Sequence, residues 1–392
     1  MILNLPRDLV EEIVSRIPMK YMRALKLTCK ALYTLSQSPS FMKLQISKAA
    51  STRDEESMIV LMDYSLYLIS FVFNVDSSAE HKGKLSCLDK QVKISQVFYC
   101  EGLLLCILKN YNFKLVVWNP YLGQTRWIEP RHSHRKGQDM DMYRYALGYV
   151  NKNQSCRSHK ILRFIDDYIY SAQNVRAPEN RFSWYEIYDF ETDLWTTLDV
   201  PPYWSISFYQ RGVSLKGNTY FCATKWFSTE ELDDHIICFD YTKERFGPLM
   251  HLPFSAGHHD YVSWSKILEM DTEPLAERPL AFRNGSFFID EDKKVSMGFD
   301  DSFGHRVNII AEDGNFNELD LVELADRKSR QHLCPYVPSS VQIKQHPGGK
   351  RKRKTILEKR RYDQNMLRLA AFIKRTKQES NKLRKRILQS RA

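Results

Sequence analysis

Three stretches of the chain repeat one local pattern, and that repetition limits the fold more than any other feature of the 392 residues. Val116-Val117-Trp118-Asn119-Pro120 leads to Trp127-Ile128-Glu129-Pro130. Glu186-Ile187-Tyr188-Asp189-Phe190 leads to Trp195, Leu198 and Pro201. Ile236-Ile237-Cys238-Phe239-Asp240-Tyr241 leads to Phe246 and Leu252-Pro253. Each reads as a strand closing on an aromatic and then Asn or Asp, a turn, and a second strand opening with a large aromatic. Glycine-led strands precede the first and third, Gly102 to Cys106 and Gly217 to Cys222, and a weaker fourth copy runs from Gly285–Ile289 to Gly298-Phe299-Asp300. Asn119, Asp189, Asp240 and Asp300 lie 70, 51 and 60 residues apart. Four-stranded sheets of about 40–50 residues, stacked around an axis with loop insertions, produce such a series. A β-sandwich is the competing arrangement. Trp118, Trp127, Trp195, Phe239 and Phe246 are then expected in the core. The longest apolar run, Ser65–Val75, is too short to span a bilayer and reads as a buried strand pair.

The first 46 residues have a different texture. Pro6 and Asp8 open a helix, because Pro is tolerated in a first turn and an acid suits the positive end of the helix dipole. Leu9, Ile13 and Ile17 recur every four residues, with Val10 and Val14 beside them. Pro18 stops that helix and starts another carrying Met22 and Leu25. Thr28 is expected to cap a helix over Cys29–Leu35, and Ser38-Pro39 to open a last one with Phe41 and Leu44.

Leu5-Pro6-Arg7-Asp8-Leu9, Glu12-Ile13, Arg16-Ile17-Pro18, Thr28-Cys29-Lys30 and Pro39-Ser40-Phe41 resemble the F-box motif in order and spacing. The sequence departs from that motif at Leu32, where the family usually has an aromatic, and at Ala24, where it usually has a basic residue. The resemblance implies docking on a Skp-type adaptor that in turn holds a cullin and a RING subunit. Leu5, Pro6, Leu9, Ile13, Ile17, Pro18, Leu25, Cys29, Lys30 and Leu32 would form or support that interface. Farther on, Cys100–Cys106, Trp118–Trp127, Tyr145–Tyr149, Lys160–Arg163, Tyr185–Asp189, Arg211–Tyr220 and Glu244–Pro248 resemble the plant F-box-associated domain, a kelch-like fold. In that family several more strands separate the segments matching Leu252-Pro253-Phe254 and Val262–Leu268. Here about eight residues do, so roughly one sheet's worth of chain is missing.

The expected architecture is therefore α+β and multi-domain. Residues 1–46 form a small helical F-box and 47–94 a connecting segment with the first strands. Residues 95–345 form an all-β, kelch-like, incomplete β-propeller, and 346–392 a basic, largely helical tail. By resemblance the function is that of a non-catalytic substrate-recognition adaptor of a Skp–cullin–F-box ubiquitin ligase, holding an unknown target protein near the charged ubiquitin carrier.

The net charge of +11 is concentrated in the tail: residues 350–392 hold 17 Lys and Arg against three acids, which leaves −3 on the remaining 349. Lys350, Arg351, Lys352, Arg353 and Lys354 follow Gly348-Gly349, read as a hinge. Such a run is read by nuclear import receptors or by nucleic-acid phosphates. Nuclear localisation is expected, with some protein in the cytoplasm, and a nuclear nucleic-acid-associated protein acting through its tail is the alternative function. Tyr362, Met366, Leu369, Ile373, Leu383 and Ile387 suggest a basic amphipathic helix, with Thr376 and Ser380 breaking the seam so that it packs only weakly on the β domain.

The eight cysteines form no CxxC pair and read as reduced thiols. His132 and His134, and His258-His259-Asp260, lack a third ligand at workable spacing. No nucleophile with an acid–base partner and no phosphate-binding glycine loop is present. The start, Met-Ile-Leu-Asn-Leu-Pro-Arg-Asp, lacks the layout of a signal peptide, and neither cofactor, metal nor membrane is expected.

Overall fold

The computed structural model describes residues 5–17, 28–36, 38, 40–41, 55–72, 78–85, 92–109, 114–131, 143–153, 156–168, 180–200, 202–206, 211–225, 234–251, 287–290, 295–299, 306–311, 316–320, 332–345 and 355–389. They form two compact units: Met1–Arg135 with Ser265–Gln345, and Lys136–Trp264 with His346–Ala392.

The first unit opens with helices α1 (Arg7–Ser15) and α2 (Lys30–Ser36). Three antiparallel sheets follow. One combines β1 (Glu55–Met62), β2 (Ser65–Val72) and β3 (Ser78–Leu85) with a strand from the far end of the unit, β21 (His332–Pro335), in the order β21-β1-β2-β3. Residues 47–94 thus supply three of its four strands. The second holds β4 (Ile94–Cys100), β5 (Leu103–Leu108), β6 (Leu115–Asn119) and β7 (Gln124–Ile128) in sequence order. The third holds β17 (Phe287–Asp290), β18 (Val295–Phe299), β19 (Arg306–Ala311) and β20 (Phe316–Asp320). Successive strand residues point to opposite faces. Met58 and Val60 of β1 therefore pack with Met297, Val307 and Ile309, while Ile59 and Leu61 pack with Leu104, Cys106, Val116 and Trp118. Burial on both faces explains why β1 and β5 read as unbroken apolar runs rather than alternating ones.

The expected strand pair within Ser65–Val75 is instead the single strand β2, hairpinned onto β1 in the register Met62↔Ser65. Its two-residue turn, Asp63-Tyr64, has both φ angles positive, 45° and 61°. That geometry matches the right-handed twist of the flanking strands. No glycine announces it.

Beyond β21, residues 336–345 run along the β4–β7 sheet. Asn119 Nδ2 donates to the carbonyls of Ser339 (2.9 Å) and Val341 (2.8 Å), Arg126 Nη1 donates to Lys344 O (2.6 Å), and the Ile343 amide donates to Gln124 Oε1 (2.9 Å). Asn119 also accepts the Leu122 amide at 3.0 Å, so this buried residue both closes its own turn and clamps a segment 220 positions away. Asp189 Oδ1 takes the amides of Glu191 and Thr192, and Asp240 Oδ1 those of Thr242 and Lys243, as expected of turns after strands. Asp300 lies outside the described residues.

The second unit has two sheets. β8 (Arg144–Asn153), β9 (Cys156–Tyr168), β10 (Arg181–Asp189) and β11 (Leu194–Leu198) pair in sequence order. β12 (Trp204–Ser205), β14 (Asn218–Lys225), β15 (Asp234–Asp240) and β16 (Arg245–His251) form the other, with β13 (Val213–Leu215) also on β14. Leu162, Phe164, Tyr185, Ile187, Trp204, Phe221, Ile237 and Phe239 fill the space between them. The sheets come so close at Gly148 that a Cβ there would lie 2.2 Å from the Tyr241 ring and 2.5 Å from Gly217 O. In a nearly buried ion pair, Arg181 donates from both Nε (2.9 Å) and Nη2 (2.7 Å) to Asp166 Oδ1, and Asp166 Oδ2 accepts the Ile206 amide at 3.0 Å. That contact fixes the chain entering the second sheet.

Two expectations are corrected. Trp118, Trp195 and Phe239 are buried and Phe246 packs at the core margin, but Trp127 is 49% exposed. On the edge strand β7 the buried residues are Arg126 and Ile128, and alternation turns the intervening Trp outward. The tail helix α3 (Ile356–Gln389) does pack on the β domain. Tyr362 meets Trp184 edge-on at 5.6 Å, Phe372 meets Phe182 at 5.4 Å, and Leu369 and Ile373 are buried. Glu358, itself buried, accepts the Thr197 amide of edge strand β11 at 2.9 Å and its hydroxyl at 3.1 Å.

Candidate functional site

The N-terminal helices divide their apolar residues between two tasks. Pro6 occupies the position before the first turn of α1, where its fixed φ (−50°) suits a helix start, and its carbonyl accepts the Val10 amide at 3.1 Å. Asp8 sits in the positively polarised first turn. Val10 and Val14, one turn apart, join Leu35 and the fully buried Phe41 in a small core, with Ile17 and Leu32 packed at its margin. On another face of α1, Leu9 is 51% exposed and Ile13 40%, with Leu5 (41%) and Pro6 exposed just ahead of them. This apolar row stands in solvent beside the module's core.

The caps explain how α2 is set against that row. The expected cap was Thr28, but it is Cys29 whose carbonyl takes the Tyr33 amide (3.0 Å) and whose Sγ takes the Leu32 amide (3.5 Å). Ser38 Oγ accepts the Phe41 amide at 3.3 Å, as its position before Pro39 predicts. Between α1 and α2 lies an open groove lined by Leu5, Val10, Lys30, Ala31, Leu32 and Leu35. Leu32 therefore both borders the groove and touches the core. Lys30 is exposed and Cys29 half-buried. Of the ten residues singled out from the sequence, Pro18 and Leu25 lie outside the described residues. Ala31 and the exposed Thr34 line the groove without having been singled out. Their only sequence signal was membership of one helix with Lys30.

Lys350–Lys354 also lie outside the described residues, as do His132, His134, His258, His259 and Asp260. Among the described residues no group of His, Cys, Asp and Glu could hold a metal ion, and no helix is long and apolar enough to cross a membrane.

The F-box domain model matches residues 2–44, and the model described as the F-box associated beta propeller domain matches 57–261 and 257–343. The chain belongs to the F-box-associated β-propeller family. Its relatives include an F-box protein of Arabidopsis thaliana, 47% identical over 95% of this chain and 98% of its own length. A putative F-box protein of the same plant is 50% identical over 93% and 95%, and an F-box/kelch-repeat protein 48% identical over 96% and 98%. The five sheets are the blades of this family's fold. The first alignment spans 427 positions against 392 residues in the chain, so at least 35 positions of that relative have no counterpart here. The family match breaks at 257–261, directly after β16.

Proposed function

We propose that this F-box-associated protein is the substrate-recognition subunit of a Skp–cullin–F-box ubiquitin ligase. The observation that carries this is the split on α1: Val10 and Val14 hold the module together while Leu5, Pro6, Leu9 and Ile13 stand in solvent. A Skp-type adaptor would cover this row and the neighbouring groove, with Lys30 at its rim. Leu32 offers less apolar area than the aromatic usual there, which weakens the contact without abolishing it. The β domain would then hold the target within reach of the carrier-bound ubiquitin, and catalysis belongs to other subunits. The basic run ahead of α3 supports delivery to the nucleus by an import receptor.

The test is copurification of the full chain with a Skp-type adaptor and cullin, comparing wild type with Leu9→Ser/Ile13→Ser. Both side chains are outside the module's core, so the variant should fold and lose at least tenfold in adaptor affinity. Retention of wild-type affinity by a folded variant, or no adaptor binding by wild type, would sink the reading.

A further inference from the structure

The two halves of α3 live in different surroundings. From Glu358 to Ile373 the helix is anchored on β10 and β11. From Lys374 to Lys382, and again at Lys385 and Gln389, every described side chain is exposed except the half-buried Glu379. At about 100° of rotation per residue, the anchoring residues Glu358, Tyr362, Leu369 and Ile373 fall within an arc of about 60°. Lys374, Arg375, Lys382 and Lys385 fall within about 100° of one another on the opposite side. They span about 16 Å of helix axis. Docking of the first half therefore directs a rigid cationic row away from the sheet. Glu379, the only acid in this stretch, lies off the row and pairs with Lys382 at 2.8 Å.

We propose that this row binds the phosphate backbone of a nucleic-acid duplex without reading its sequence. The proposal stands apart from the adaptor reading and would hold if that failed. What else shares the arc chooses among polyanions. Between residues 374 and 385 its only other member is Gln378. A stable protein partner needs an apolar or aromatic centre in the interface, and the row has none. A membrane surface needs apolar side chains to insert, and the large exposed ones on this side of the helix, Leu367, Leu357 and Ile356, lie about two to five turns away. Single strands are gripped by stacking on aromatics, also missing from the row. A duplex backbone asks only for regularly placed cations and hydrogen-bond donors.

The experiment measures fluorescence anisotropy of the full-length chain with labelled 20-base-pair DNA and RNA duplexes, a single strand and polyglutamate, from 50 to 200 mM salt. Neutralisation of about four phosphates lowers duplex affinity about 10²-fold over that range. The variant Lys374→Gln/Arg375→Gln/Lys382→Gln/Lys385→Gln, checked for helicity by circular dichroism, should lose at least tenfold at 50 mM and show a flatter salt slope. Preference for DNA or for RNA supports the proposal and names the duplex. Wild-type binding by the fourfold variant overturns it, as does loss only when Lys350–Lys354 are replaced, or no duplex binding at 50 mM. Polyglutamate or the single strand binding as tightly as the duplex would overturn it too, by assigning the row to an acidic protein or an unpaired strand.

Discussion

Replacing Glu358 with Ala should loosen α3 from the β8–β11 blade by about 2 kcal/mol. The carboxylate accepts both the amide and the hydroxyl of Thr197, and both lie under the helix. A buried donor stripped of its acceptor costs about 1–3 kcal/mol, and hydrogen bonds to a charged acceptor contribute about 1.5–3. Deletion also removes the carboxylate's own desolvation cost, which draws the net toward the middle of that range. Full release would rehydrate the amide but expose Leu369, Phe372 and Ile373, at about 1.5–3 kcal/mol each. The smaller penalty wins: the helix stays docked and opens more often. Hydrogen exchange of the segment spanning Leu194–Leu198 should then quicken about 30-fold, with Glu358→Gln, which keeps an acceptor, showing a smaller change. Unaltered exchange of the Thr197 amide in the Ala variant would refute the anchoring role.

Trp195→Ala should cost about 3–5 kcal/mol and abolish expression as a protease-resistant protein, whereas Trp127→Ala should shift the melting temperature by no more than a degree or two. Equal effects would contradict the edge-strand placement. Gly148→Ala forces a methyl against Tyr241 and the Gly217 carbonyl, and should destabilise the second unit by at least about 2 kcal/mol, read as a lowered thermal midpoint. Replacing Lys350–Lys354 with Gln should move a fluorescent fusion toward the cytoplasm while adaptor copurification stays at wild-type level.

What could be read from the chain was what is decided locally. Asx turns at Asn119, Asp189 and Asp240 depend on a side chain and amides two or three residues on, so their positions were visible without the fold. Trp127 was misplaced because an aromatic in a strand announces burial. Which face of an edge strand is covered depends on neighbours from elsewhere in the chain. The docking of α3 was hidden for a related reason: its anchors include a carboxylate, Glu358, whose burial makes sense only beside the amide of Thr197. On α1 the i, i+4 pattern showed one broad apolar face. Only pairing with Leu35 and Phe41 separates Val10 and Val14, which hold the module, from Leu9 and Ile13, which stay exposed. The strand His332–Pro335, four residues with no turn signal, went unremarked although it completes the first blade.

That last strand sets a timetable. β1 waits for a partner about 270 residues downstream, and at a synthesis rate of about 5–20 residues per second the wait is roughly a quarter of a minute to a minute. The F-box module, whose core among the described residues runs from Val10 to Phe41, is ready long before. A nascent chain could therefore recruit its adaptor while still without a recognition surface, and a chain cut short before His332 would keep the dock yet leave the β1 edge bare. If the F-box docks a ligase scaffold as proposed, a chain truncated before His332 occupies that scaffold with its first blade incomplete.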